Sequence, residues 1–286
     1  MSERVLVIGP GHVGRGLFRA FRASGIEVLG LHGRRSSAYA TSTGPLPATL
    51  SQANTIVVAV GDDDIDDVVS SLIAERGPAG RGRLASGTVI LHTSGSAEPE
   101  LVTQLPEHGL SGGTFHPLVP FASPDRAPAL LRRAWIGIDG DDPARATSRR
   151  LAGHIGARTL EIPAGGKSAY HAAAVMTSNF PVVLAMLGVD LLRGLGIPER
   201  SAQQAVQSLM EGAVTNLGDA APEEALTGPV VRGDAETVMR HLAALRGDAD
   251  ARAVYKRLSL VAVEMAERRG VPAENLNEIK RLLLLR

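Results

Sequence analysis

The chain contains no cysteine, one tryptophan, three tyrosines and five phenylalanines among its 286 residues. The first absence excludes a disulfide framework, thiolate metal sites and a cysteine nucleophile. It suits a reducing compartment, and the expectation is a cytoplasmic protein. There is also no excess of either charge, since Lys+Arg and Asp+Glu are 30 each. Without a net field, and without a basic tract interleaved with aromatic residues, neither a nucleic-acid nor an anionic-membrane partner is expected. The N-terminus lacks the basic and apolar regions of a signal peptide. One uncharged run of 18 residues, Ala172 to Val189, is long enough to be weighed as a membrane span, but it is interrupted by Thr177, Ser178, Asn179 and Pro181 and flanked by His171 and Asp190. Polar groups in mid-bilayer are costly, so the run reads as a buried central helix of a soluble protein and not as a membrane span. The acidic run Gly61-Asp62-Asp63-Asp64-Ile65-Asp66-Asp67 lacks the glycine and glutamate of a calcium loop. It reads as caps and first-turn acids of a following helix, and no metal is expected.

What is present is concentrated at the start. Val5-Leu6-Val7-Ile8 is followed at once by Gly9-Pro10-Gly11-His12-Val13-Gly14-Arg15-Gly16. An apolar strand running into G-x-G-x-x-G, with the amphipathic run Leu17-Phe18-Ala20-Phe21 behind it, is the opening of a dinucleotide-binding βαβ unit. Gly9 permits the turn, Gly11 leaves room for a pyrophosphate at the main chain, and Gly14 lets the helix lie close to the strand. The anion would rest on the free amides of that helix. A second strand, Glu27 to Leu31, leads to His32-Gly33-Arg34-Arg35-Ser36-Ser37, where an NAD-specific unit would carry an acid. Two guanidiniums and two hydroxyls suit a 2′-phosphate, so the cofactor expected is NADP(H); the alternative is a solvated arginine pair. The candidate cofactor residues are Gly9, Pro10, Gly11, His12, Val13, Gly14, Arg34, Arg35 and Ser36, with Val60 and Gly61 at the end of the strand from Thr55.

Further strands are expected at Thr88–His92, Gly113–His116, Trp135–Asp139 and Thr159–Ile162, and residues 76–87 read as a mobile Gly/Arg-rich loop. Strands alternating with helices imply an α/β fold, a Rossmann-like doubly wound parallel sheet, over residues 1–164. Ser94 and His116 fall at carboxyl ends of strands, where such sheets bind ligands. Ser94 is a substrate contact or a turn hydroxyl, and His116 a functional or a packed histidine. From about Ala164 the strand signals stop, and residues 165–286 read as an all-α substrate and dimerisation domain. Along its first helix, Lys167, His171 and Ser178 share one stripe, with Asn179 at its edge, and Pro181 should kink the helix near Ser178. Hydride transfer to a carbonyl or imine calls for a nearby proton donor. Lys167 or His171 can supply it, while Ser178 and Asn179 can hold the substrate. Arg232, in a Gly-Pro loop, can grip a substrate carboxylate or form a structural salt bridge.

Thr114-Phe115-His116-Pro117-Leu118, the segment KSAYHAAAVMTSNF from Lys167 to Phe180, and LTGPVVRGD from Leu226 to Asp234 resemble the bacterial proteins that join a Rossmann-like domain to a domain called DUF2520. That family is similar in build to the 6-phosphogluconate dehydrogenase-like superfamily, with its β-hydroxyacid dehydrogenases, ketopantoate reductases and pyrroline-5-carboxylate reductases. The resemblance implies NADP(H) or NAD(H) as cofactor and a homodimer formed through the helical domain. It matches Lys167 to the catalytic lysine of the β-hydroxyacid dehydrogenases, but His171 stands where those enzymes carry asparagine. The function expected is an NADP(H)-dependent oxidoreductase acting on a small carbonyl or imine acid. The alternative is a non-catalytic NADPH-binding sensor or assembly module.

Overall fold

The computed structural model describes residues 2–76, 82–98 and 100–285, so the expected loop at 76–87 lies partly outside the described residues. The chain divides into two compact units, Met1–Asn179 and Phe180–Arg286. The boundary falls later than the expected 164/165, because the side chain of Lys167 reaches back to the sheet of the first unit.

The first unit is built on strands β1 (Arg4–Ile8), β2 (Glu27–Gly33), β3 (Ser42–Thr43), β4 (Thr55–Val58), β5 (Val89–His92), β6 (Ser111–Pro117), β7 (Trp135–Gly140) and β8 (Arg158–Glu161), and they form one sheet in the order β3-β2-β1-β4-β5-β6-β7-β8. Seven of these eight strands lie at the expected places; the two-residue β3 is an addition to them. Helices α1 (His12–Ala23), α4 (Ala127–Leu131) and α5 (Asp142–His154) cover one face with Leu17, Phe21, Leu131 and Leu151. Helix α2 (Ile65–Arg76) and the short α3 (Glu100–Gln104) cover the other, with Ile65, Val69, Leu72 and Val102. The fold is the doubly wound one expected, with one correction: β6 and β7 run antiparallel. A parallel return needs a crossover that spans the sheet, and the connection after β6 holds only a 3-10 turn, Pro124–Arg126, and the five-residue α4, about 7.5 Å of α-helix. Leu118 donates instead to the Trp135 carbonyl at 2.9 Å, so the chain turns back at the same end of the sheet.

After β8 comes α6 (Lys167–Ala174), followed by a π-helical turn at Val175–Asn179. The turn accounts for the irregularity expected near Ser178, since Pro181 has no N–H to continue the α pattern. The second unit consists of α7 (Phe180–Gly194), α8 (Glu199–Asp219), α9 (Pro222–Ala225), α10 (Ala235–Ala244), α11 (Ala249–Arg268) and α12 (Ala273–Leu284). Val238, Val263, Leu276 and Ile279 form its core. Asp234 caps α10, accepting from the Thr237 amide. A second correction concerns the uncharged run. Lys167–Gly194 is long and apolar enough to cross a membrane, yet its most apolar stretch is not buried within this chain. Val182 is 69 % exposed and Leu209 and Val214 on α8 are 74 % and 68 % exposed. The expected buried central helix is therefore a helix that one chain alone leaves uncovered, because α8 is the neighbour it packs beside and is itself apolar outward.

The turn after β1 is set by two glycines with no room for a side chain. Gly9 has φ +108°, and a Cβ there would lie 2.1 Å from the Ala59 carbonyl oxygen; one on Gly14 would lie 1.9 Å from the Gly9 oxygen. Gly9→Ala combines backbone strain with a clash against rigid main chain. It should cost about 3 kcal/mol of stability or more in urea unfolding, with Gly14→Ala comparable.

Candidate active site

Two features meet at the carboxyl ends of the parallel strands. The first is the glycine turn. Gly11 sits at the N-cap of α1 with no side-chain cap, and the first turn carries no acid, so its amides stay free for an anion. Unlike Gly9 and Gly14, Gly11 has nothing within 4 Å of where a Cβ would stand. The protein's own packing does not demand that glycine, which leaves an open cradle of the kind a pyrophosphate fills. Beside it a cavity of about 880 Å³ is lined by Gly9, Pro10, Arg34, Arg35, Ser36 and Val60, among others. Of the remaining candidates, His12, Val13 and Gly14 open α1, while Gly61 precedes the 3-10 turn Asp62–Asp64. Of the acidic run, Asp66 and Asp67 do occupy the first turn of α2, Asp64 faces Arg34 at 3.4 Å, and Asp62 accepts from Ser96.

The second feature is a polar cluster that strand register assembles. Successive strand residues face opposite sides. Phe115, Ile136 and Ile138 enter the core on the α1 side, so Thr114, His116, Gly137 and Asp139 face the other. Pairing puts His92 beside Thr114 and Thr114 beside Asp139, one polar row across β5, β6 and β7; His116 beside Gly137 begins the next. Helix α6 lies over both rows. Lys167, only 4 % exposed, sits above the first, its Nζ 3.1 Å from Asp139 Oδ2, 2.8 Å from the Ala97 carbonyl and 3.2 Å from His92 Nε2. His92 Nε2 is also 2.9 Å from Thr114 Oγ1. Burial, and next the Lys167 cation, push the His92 pKa down to about 3.

One turn along α6, Tyr170 and His171 stand over the second row. The Tyr170 hydroxyl is 2.8 Å from His116 Nδ1, and burial raises its pKa. It fits because residue 137 is glycine: a Cβ there would lie 2.1 Å from the hydroxyl. The His171 ring meets His116 edge-on at 5.9 Å. Burial, then the neighbouring His171, lower the His116 pKa to about 4. A Cβ on Gly95 would come within 2.9 Å of both imidazoles, so the backbone of the loop after β5 packs directly against them.

Residues 134–262 match the family described as "Domain of unknown function (DUF2520)". The resemblance read from KSAYHAAAVMTSNF and LTGPVVRGD is borne out by that match. No curated protein matches the chain. Solved structures match along nearly its whole length. The protein TM1727 from Thermotoga maritima shares 24 % identity at TM-score 0.70, covering 93 % of this chain and 100 % of that one. BF3122 from Bacteroides fragilis, provisionally named an NADP oxidoreductase, shares 20 % at 0.69, covering 92 % and 98 %. An imine reductase from Myxococcus stipitatus in complex with NADP+ shares 17 % at 0.61, covering 93 % and 94 %. These likenesses establish a common fold. The DUF2520 segment supplies Gly137, Asp139, Lys167, Tyr170 and His171 to the cluster, while His92, Thr114 and His116 precede it.

The structure thus brings Lys167, His171 and His116 together. Ser94 is buried, its hydroxyl accepting from the Ser96 and Ala97 amides, which is the turn role. Ser178 and Asn179 are exposed in the π turn. Arg232 is exposed on the second unit; the Asp234 carboxyl near it is held below its usual range first by the Thr237 amide and hydroxyl, with Arg240 and Arg232 adding to them. His92, Asp139 and Tyr170 were not singled out from sequence. The available signal was polar residues in otherwise apolar strands, and tyrosine between Lys167 and His171.

His92 and His116 are neutral in the fold, whereas the unfolded chain takes up protons near the ordinary value of 6.5. Both folded pKa values are depressed, so their share of stability is complete above pH 6.5 and declines as pH falls toward 4. The melting temperature should fall through that window, and His116→Gln should flatten the slope when compared by thermal scans at matched pH.

Proposed function

We propose that this protein is an NADP(H)-dependent reductase of a small carbonyl or imine acid. The observation that carries the reading is the joint placement, on one unit, of an open glycine cradle with an arginine-lined cavity and of a buried imidazole-phenol-ammonium cluster at the carboxyl ends of the same sheet. The residues fit the cofactor. The free amides at the start of α1 would hold its pyrophosphate, and Arg34, Arg35 and Ser36 its 2′-phosphate. Bound there, NADPH would supply a hydride. The chain's part is to hold the acceptor and to provide a proton to the oxygen or nitrogen that gains the electron pair. The imine reductase among the similar structures, in complex with NADP+, supports this class of chemistry at the level of fold.

We also propose a homodimer in which a second copy covers α7 and α8. Soluble chains rarely leave so large an apolar face open, and the polar Thr177, Ser178 and Asn179 count against a lipid neighbour.

Two measurements test these readings. Isothermal titration should give saturable NADPH binding; Arg34→Ala or Arg35→Ala should weaken it about tenfold or more with little change for NADH, and Gly11→Val should abolish both. NADPH that binds but is never oxidised across a panel of keto acids and cyclic imines would favour the sensor. Sedimentation in detergent-free buffer should give twice the chain mass, with Leu209→Glu/Val214→Glu shifting it to the monomer; partition of the wild type into vesicles would overturn the dimer.

A further inference from the structure

Three contacts use up the Lys167 ammonium. The carbonyl of Ala97, the carboxylate of Asp139 and Nε2 of His92 surround Nζ at 2.8, 3.1 and 3.2 Å, and an ammonium offers three N–H groups and accepts nothing. No N–H remains for a substrate atom. Giving up a proton would also strip Asp139 of its counter-ion beside a buried nitrogen. His92 is constrained in turn. Two groups reach its Nε2, Lys167 at 3.2 Å and the Thr114 hydroxyl at 2.9 Å: the tautomer that accepts from lysine carries its proton on Nδ1, buried without a partner, and the opposite one would donate Nε2–H to Thr114 and forgo the lysine bond.

His171 is placed differently. Its Nδ1 is buried and has no hydrogen-bond partner, whereas its Nε2, also unbonded, is not among the buried atoms and so remains accessible. His116 already engages Tyr170 through Nδ1, and its lowered pKa keeps the ring neutral near pH 7. The Gly95 backbone packs against both rings, and the loop carrying it is tied down at Ala97 by Lys167.

We propose that Lys167 is a positioning residue that fixes the Thr93–Ala97 loop and the tautomer of His92, and that His171, through Nε2, delivers the proton to the reduced carbonyl or imine. The inference rests on the reductase reading. The hydride of NADPH forms the new C–H bond while the π pair of C=O or C=N moves to the heteroatom. The N–H bond of the His171 imidazolium breaks as the O–H or N–H bond forms. The substrate carbon is reduced, the nicotinamide is oxidised, and neutral His171 regains its proton from solvent.

Two kinds of measurement test it. Long-range ¹H–¹⁵N spectra of the full-length protein need no substrate. They should show His92 neutral with its proton on Nδ1 from about pH 6 to 8, and a changed tautomer or titration in Lys167→Met. A proton on Nε2 of His92 in the wild type overturns the proposal. In turnover, Lys167→Met should lower kcat about 100-fold with NADPH affinity kept, the scale of a misplaced catalytic group. Lys167→Arg should recover to within about tenfold, since guanidinium keeps the cation and donors but is no acid at neutral pH. A cavity of about 410 Å³ beside Lys167, His92 and Asp139 gives the larger head room. His171→Gln should lose about 100-fold or more. Arginine as inactive as methionine makes lysine the donor; methionine with full turnover makes Lys167 merely structural; His171→Gln with wild-type turnover removes the donor. Each of these overturns the proposal. A wild type that binds NADPH yet reduces nothing overturns the reductase reading and the role of His171 with it, while the His92 spectrum still judges Lys167.

Discussion

A single buried ammonium ties the first helix after the sheet to three of its segments. Taking Lys167 and Asp139 out of water is costly, and the attraction between them offsets that cost only with good geometry and with the remaining N–H groups satisfied. Here they are, by the Ala97 carbonyl and by His92. Because the ammonium spans the loop after β5 and the strand β7, the position of α6 is set by directional bonds as well as by apolar packing. Tyr170 and His171 inherit their places from it.

The row beneath Lys167 exists because β7 runs antiparallel. A parallel β7 would present a different register to β6, and Asp139 would not lie beside Thr114 nor Gly137 beside His116. Gly137 then does what no other residue could at that point, leaving the hydroxyl of Tyr170 within reach of His116. The neutral state of both sheet histidines follows from the same burial, so the site presents a low-dielectric floor of uncharged imidazoles under one ion pair.

At the other feature the physics is main-chain geometry. Gly9 and Gly14 are required by the protein itself, whose strand ends and first helix approach too closely for a Cβ. Gly11 is not; at the N-cap of α1 it leaves the free amides of the first turn open to an anion. Fold-level likeness to NADP-named structures agrees with that reading but does not supply it; the arginines and hydroxyls after β2 do.

Local sequence settled much of this molecule. The glycine turn, seven of the eight strands, the cap at Asp234 and the Arg34-Arg35-Ser36 loop all depend on neighbours within a few residues, where steric and hydrogen-bonding rules act directly. So does the proline-linked irregularity of the helix after Lys167. The meeting of His92, Thr114 and Asp139 under Lys167 could not be read in the same way, because those residues are separated by 22 to 75 positions and come together through strand register and the direction of β7. Nor could the exposure of the apolar helix from Phe180: its composition asks for burial, but which surface provides it depends on what packs alongside. Pattern determines which face of an element is apolar or polar; only the assembled chain determines what that face meets.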